Sequence, residues 1–153
     1  MRWVHRITVS AFAKPEENVE GIREAVIALV PFDLNRARVV LGTENAQGFD
    51  ERIIKIFSVS LTREAQTNDF LDFLLNKFSD EQKRLLISQA ESRLDANLDF
   101  FIRIDKDHWV NEREFWLTDS GSCFHIKLAV AAYPKKRDAA LLLIRKLFSQ
   151  KSI

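Results

Sequence analysis

The sequence predicts a single α+β domain over residues 1–153, with a mostly antiparallel sheet of about six strands and helices packed on one face. Three observations predict it. In the closing stretch, apolar and polar residues alternate: Phe124, Ile126, Leu128, Val130 and Ala132 share one face, and His125, Lys127, Ala129 and Ala131 share the other. Elsewhere apolar residues recur at helical spacing, as in Ala140, Leu143, Ile144 and Leu147. The order of the patterns is strand, helix, two strands, two helices, three extended runs and a last helix, which is the order of an α+β domain. At 153 residues and 46% apolar composition, the chain suffices for one core.

The first strand is expected from Trp3 to Ala13, with His5, Ile7, Val9 and Ala11 on one face. Pro15, followed by Glu16 and Glu17, suits the first turn of a helix, because proline lacks the N–H that a helix start leaves unpaired and carboxylates favour its positive end. Val19, Ile22, Val26 and Leu29-Val30 form the stripe of that helix, and Pro31 ends it. Arg38 to Leu41 reads as a short strand and Gly42 to Gly48 as a loop. Arg52 to Leu61 is a third strand, apolar on both faces near its start and therefore central.

Thr62 is placed to cap the next helix, whose buried side carries Phe70, Leu71, Phe73, Leu74 and Phe78. Ser79 and Gln82 have the spacing of a capping box, so a further helix with Leu85, Leu86, Ala90 and Leu94 should begin there. From Asn97 the period becomes two. Phe100, Ile102 and Ile104 share a face. Trp109-Val110 with Glu114 to Leu117 reads as a second extended run, and Asp119 to Ser122 as a turn into the closing strand, so these runs should form an antiparallel meander. Tyr133-Pro134 stops the last strand, and Lys135-Lys136-Arg137 open the last helix.

The formal net charge of +1 is unlike the strongly basic balance of many nucleic-acid binders, but the charge is unevenly spread. From Pro134 to Ile153 there are six basic residues against one acid, Asp138, so the rest of the chain is net acidic. Such polarity is a footprint for phosphate, or the ordinary bias of cations toward helix ends. Cys123 stands alone, which rules out an intramolecular disulfide and leads to the expectation of a cytoplasmic address. The opening Met1 to Arg6 has no stretch of signal-peptide type, and no segment has the ~20 apolar residues of a membrane span.

The opening Trp3-Val4-His5-Arg6-Ile7-Thr8-Val9, the segment Ile102-Arg103-Ile104-Asp105-Lys106, and Ile126-Lys127-Leu128 leading to Ala132-Tyr133-Pro134-Lys135-Lys136-Arg137 resemble an archaeal family described as predicted RNA-binding, exosome-subunit-like proteins. The resemblance covers essentially the whole chain, and the Tyr-Pro-Lys corner is its most specific part. It implies a fold like that of the large-subunit ribosomal protein that binds 5S RNA, and an archaeal, cytosolic origin. Family glycines in the hairpin before the closing strand are mostly replaced here by Asn111-Glu112-Arg113. No catalytic residues carry over.

Several constellations have the composition of a chemical site. Cys123 and His125, two apart on a strand, would point to one face as a thiolate–imidazole pair needs, but no orienting acid or oxyanion hole is marked beside them. Asp105, Asp107, His108 and Glu112 could ligate a divalent ion, yet their spacing follows no recognised metal loop, and Lys106 and Arg113 interrupt them; a solvated turn is the expected reading. Gly42 to Gly48 lacks the Gly-Lys-Ser/Thr ending and the dinucleotide spacing, so no metal or other cofactor is expected.

Cations make the remaining pattern. Arg6, Lys55, Arg103, His125 and Lys127 lie on strands and are expected to share the face away from the helices, next to Lys135, Lys136 and Arg137. Such a surface suits RNA phosphates, a subunit interface or plain solvent. Trp109, Trp116 and Phe101 could stack on bases or serve as core. The reading of the sequence is therefore a non-catalytic protein that binds structured RNA or a ribonucleoprotein through Arg103, Lys127, Lys135, Lys136 and Arg137, with Tyr133 and Pro134 setting the corner. The alternative is a protein–protein module, a homodimer or an adaptor of an RNA-processing complex, motivated by Trp109, Phe115 and Trp116.

Overall fold

The computed structural model describes residues 2–48 and 52–153. Among the described residues there are five strands and seven helices, in the order β1 (Val4–Ala13), α1 (Val19–Ala28), α2 (Leu34–Ala37), β2 (Gly42–Gln47), β3 (Ile53–Leu61), α3 (Glu64–Lys77), α4 (Asp80–Ser88), α5 (Ala90–Arg93), β4 (Asp99–Asp105), α6 (Lys106–Glu112), β5 (Cys123–Val130) and α7 (Arg137–Phe148). The strands form one antiparallel sheet in the order β2-β3-β1-β5-β4. An α+β class is what the periodicities require; the strand count is five where about six were expected.

The chain clusters into two compact units. The first comprises Met1–Ile7, Leu61–Ile102 and Lys127–Ile153. Its helices follow from local sequence. In α3, Phe70, Leu71, Leu74 and Leu75 are buried on one stripe. The Ser79 hydroxyl accepts from Gln82 N at 3.1 Å and the Gln82 amide oxygen accepts from Ser79 N at 2.9 Å, closing the expected capping box at the start of α4. The last helix, α7, buries Ala140, Leu141, Ile144, Leu147 and Phe148 and packs on α4 and α5. Phe148 is the centre of this core, its ring 6.4 Å from that of Phe78 and 5.9 Å from that of Phe100.

The second unit comprises Thr8–Ser60 and Arg103–Ile126. Here α1 starts at Asn18, whose side chain accepts from Gly21 N, and buries Ile22, Ala25 and Val26. It packs on α6, pinned by Trp109, whose buried indole N–H donates to Ala25 O at 2.8 Å. Lys106, at the start of α6, is almost fully buried; its ammonium donates to Phe12 O at 2.7 Å and lies 3.3 Å from Glu17 Oε2.

Four expectations need correction. Gly42 to Gln47 is strand β2, not a loop, paired antiparallel with β3 from Gly42↔Ser58 to Gln47↔Ile53. Its edge position explains the polar composition that reads as a loop: only Gly42 and Ala46 are even half-buried. Arg38 to Leu41 is not a strand, because α2 occupies Leu34–Ala37 and Arg38 leaves it in the left-handed region at φ 56°. Trp109-Val110 lies in helix α6, which Asp105 caps by accepting from His108 N at 3.1 Å; only the single bridge Ile104↔Leu117 remains of the middle strand of the expected meander. The boundaries also shift: Arg63 rather than Thr62 stands at the cap of α3, α1 begins at Val19 rather than at Pro15, and β5 ends at Val130.

Candidate nucleic-acid interface

In the first unit the alternation of β1 slips by one, since His5 and Arg6 are both exposed between buried Val4 and Ile7, an irregularity of the kind a β-bulge produces. The slip places two polar side chains in succession at the rim of a depression of about 550 Å³. Arg2, His5, Arg6, Thr62, Asp99, Lys127 and Ala129 line it. Lys127 reaches it because β5 buries Phe124, Ile126, Leu128 and Val130 on the opposite face.

Arg2 is held rigidly. Its Nε donates to Val4 O at 2.9 Å, and its Nη2 donates to His5 O at 3.0 Å and to Thr62 O. All three partners are neutral carbonyls, so the guanidinium charge stays uncompensated while its geometry is fixed. Arg6 and Lys127 have no ion-pair or hydrogen-bond partner for their side chains among the described residues. Against these cations the depression carries one acid, Asp99.

The basic corner divides differently. Lys135 and Lys136 are exposed, and Lys136 stands at the N-cap of α7 without a side-chain cap bond. Arg137 donates from Nη1 to Leu94 O at 3.0 Å and from Nη2 to Glu91 O at 2.6 Å, tying the end of α5 to the start of α7. Lys135 and Arg137 line a smaller depression, of about 210 Å³, with Asp95, Ala96 and Leu98. A second depression, of about 370 Å³, lies along α7 and is lined by Arg2, Ala131, Ala132, Tyr133, Ala139, Leu142, Leu143 and Lys146.

Arg103, the fifth residue singled out by the sequence, belongs to the second unit. It is half-buried on β4, close enough to Cys123 and His125 for its charge to act on both. Lys55, in the second unit, is exposed and alternates in phase with buried Phe57, Val59 and Leu61 of β3. Trp109 and Phe115 are core residues, with rings 5.1 Å apart, whereas Trp116 is half exposed and stacks on His108 at 4.2 Å.

Cys123 and His125 do lie on one face, Sγ 3.6 Å from Nε2. Burial pushes the Cys123 thiol up despite the lowering influence of Arg103 and Lys106. Burial, with the same two cations, pushes His125 down. Both groups are driven toward their neutral forms, the reverse of the thiolate–imidazolium pairing that activates a cysteine. His108 Nδ1 meets Asp105 Oδ2 at 2.6 Å. Desolvation would raise the Asp105 carboxyl, but the hydrogen bonds and charge of His108 outweigh it and hold the group below its usual range. Among the described residues no group of three or more His, Cys, Asp or Glu is arranged to hold a metal ion, and no helix is long and apolar enough to cross a membrane.

Reasoning from sequence missed Arg2 and His5 as parts of the basic depression. Arg2 carried a usable signal, since Arg2, Val4 and Arg6 fall at period two; His5 did not, because it reaches the rim only through the slip.

The described residues thus form an α+β protein with one antiparallel sheet, in which Arg2, Arg6 and Lys127 line a depression with one acid, Asp99. The chain belongs to the family described as RNA binding, whose model matches residues 6–130. It is 24% identical over 141 residues to RNA-binding protein PAB1135 of Pyrococcus abyssi, covering 92% of this chain and 91% of that one. Among solved structures it is similar to protein AF2318 of Archaeoglobus fulgidus, at 28% identity and TM-score 0.83, covering 94% of this chain and 99% of that one. It is also similar to Mth689, a DUF54 protein of Methanothermobacter thermautotrophicus, at 25% identity and TM-score 0.76, covering 95% and 98%.

Proposed function

We propose that this protein binds RNA without catalysis and that the first unit makes the contact, chiefly through phosphates. The observation that carries the reading is the depression in which Arg6 and Lys127 have no ion-pair partner among the described residues and stand beside an Arg2 held by three backbone carbonyls. Lys135 and Lys136 extend the charge at the corner, and Arg137 positions it through the two carbonyls it holds. Arg103 is a secondary contact in this reading, because its neighbourhood includes Asp105 and a buried thiol. The names of the family and of the Pyrococcus relative support an RNA ligand. Membership of an exosome-like or other RNA-processing assembly, as an adaptor, belongs to the competing protein–protein reading.

Phosphate contact has a definite signature. Each cation that neutralises a phosphate releases counterions, so log K should fall linearly with log salt, by about 0.7 per contact on a single strand and about 0.9 on a duplex. Replacing Lys135 and Lys136 with alanine should flatten that slope by roughly one contact each. A salt-independent affinity overturns the proposal.

A protein–protein role is the competing reading, and one observation favours it. In the second unit Arg23, Ile27, Phe32, Asp33, Leu34, Asn35, Val39, Val40 and Leu41 line an open groove of about 470 Å³, with Val40 81% exposed. Light scattering at micromolar concentration decides its homodimer form: a monomer removes it.

A further inference from the structure

We infer that Tyr133 is a stacking platform for an unpaired base, so that the ligand is RNA with a single-stranded segment. This rests on the proposal that the first unit binds RNA, and adds which form of RNA it takes.

Tyr133 is 96% exposed, unlike the other aromatic residues clustered in this unit, of which Trp3, Phe70, Phe78, Phe100 and Phe148 are buried. Its position is not that of a mobile terminus: the backbone before it is tied by Ala131 N donating to Trp3 O at 2.9 Å, and the proline after it restricts its own backbone to extended conformations. Tyr133 lines the 370 Å³ depression with the apolar Ala131, Ala132, Ala139, Leu142 and Leu143. That volume lies within the roughly 300–1,000 Å³ of small-ligand sites.

The charges around it select the occupant. Among the described residues no carboxylate lines the depression, while Arg2 and Lys146 do. Arg2 also lines the basic depression, so one fixed guanidinium serves both. A nucleotide has the complementary form: an uncharged, flat base that stacks on an aromatic ring, joined to a phosphate that seeks the cation. With its base against Tyr133 and its phosphate toward Arg2, the strand would continue to Arg6 and Lys127. A duplex hides its base faces in the stack and cannot use the ring. The sequence contains the same residues, but their spacing does not reveal that Arg2, near one end of the chain, borders the depression holding Tyr133 and Lys146.

The test compares binding of a short fluorescein-labelled oligouridylate with that of an RNA duplex of equal length, by anisotropy, for the wild type, Tyr133→Ala, Tyr133→Phe and an Arg6→Ala/Lys127→Ala variant. Tyr133 is fully exposed, so its replacement should leave folding unchanged, which circular dichroism checks. The expected result is a loss of roughly 5- to 100-fold for the oligouridylate in Tyr133→Ala, with the salt slope kept. Tyr133→Phe should bind as the wild type, and duplex affinity should not change. If Tyr133→Ala binds the oligouridylate like the wild type while Arg6→Ala/Lys127→Ala is weakened, the stacking site is overturned and the phosphate reading stands. If the wild type binds neither RNA, both fall. A change of oligomeric state in Tyr133→Ala, without loss of RNA affinity, would assign the ring to a protein interface and overturn the inference.

Discussion

The two units of the molecule differ in the sign of their charge. The first holds 14 Lys and Arg against 9 Asp and Glu, a formal +5; the second holds 9 against 13, a formal −4. In the second unit cations meet carboxylates: Lys106 with Glu17, Arg23 with Glu20, Arg52 with Glu16. In the first, Arg2, Lys83 and Arg137 donate to neutral backbone carbonyls. A carbonyl orients a guanidinium or ammonium but, unlike a carboxylate, does not cancel its field. The first unit therefore carries a net positive charge, whereas in the second the exposed Arg23 and Arg52 and the buried Lys106 are each set against a carboxylate.

Substitutions test that contrast. The largest effects should come from the two cores, which ought to respond alike. Phe148→Ala in the first unit and Trp109→Ala in the second each remove a buried aromatic and should each cost about 3–5 kcal/mol in urea unfolding. The Trp109 change also removes the indole bond to Ala25 O.

Charge should separate the units. Glu17→Gln leaves the buried Lys106 ammonium with Phe12 O as its strong partner and should destabilise by about 2–3 kcal/mol, less than a fully buried pair because Glu17 is 24% exposed. Lys127→Ala, which breaks no ion pair among the described residues, should stay within about 0.5 kcal/mol of the wild type while weakening RNA binding. Equal stability losses in the two variants would contradict the contrast.

A pH titration sharpens it further. Asp105 has a folded pKa below its unfolded one, so the stability it contributes is present above the unfolded value and is lost as pH falls through the folded value. Asp105→Asn should lower stability at neutral pH and flatten the acid limb of the stability profile, and it should do so without altering affinity for RNA. The smallest effect concerns backbone strain. Arg38 is exposed and adopts φ 56°, so Arg38→Gly should stabilise by about 0.5–1 kcal/mol in thermal unfolding.

What the sequence made legible follows from where the physics is local. β5 announces itself because burial on one face forces strict alternation from Phe124 to Val130, and the start of α4 because the Ser79–Gln82 capping box is complete within four residues. β2 was hidden because an edge strand with little burial has no apolar pattern to show. Helix α6 was hidden because Trp109 and Val110, strong strand formers by composition, are overridden by the Asp105 cap and by the Trp109 bond to α1. Lys127, Lys135 and Lys136 were legible as cations at a surface. Their relation to Arg2 and Tyr133 was not, since it arises from chain ends brought together by the fold.

The most direct test of the account is ultraviolet crosslinking of the protein to a short oligouridylate, with the modified peptides identified by mass spectrometry. Crosslinks are expected on residues 2–7 and 127–146, with Tyr133 among them. Crosslinks confined to residues 8–60 and 103–126 would overturn it, placing the contact on the net acidic unit.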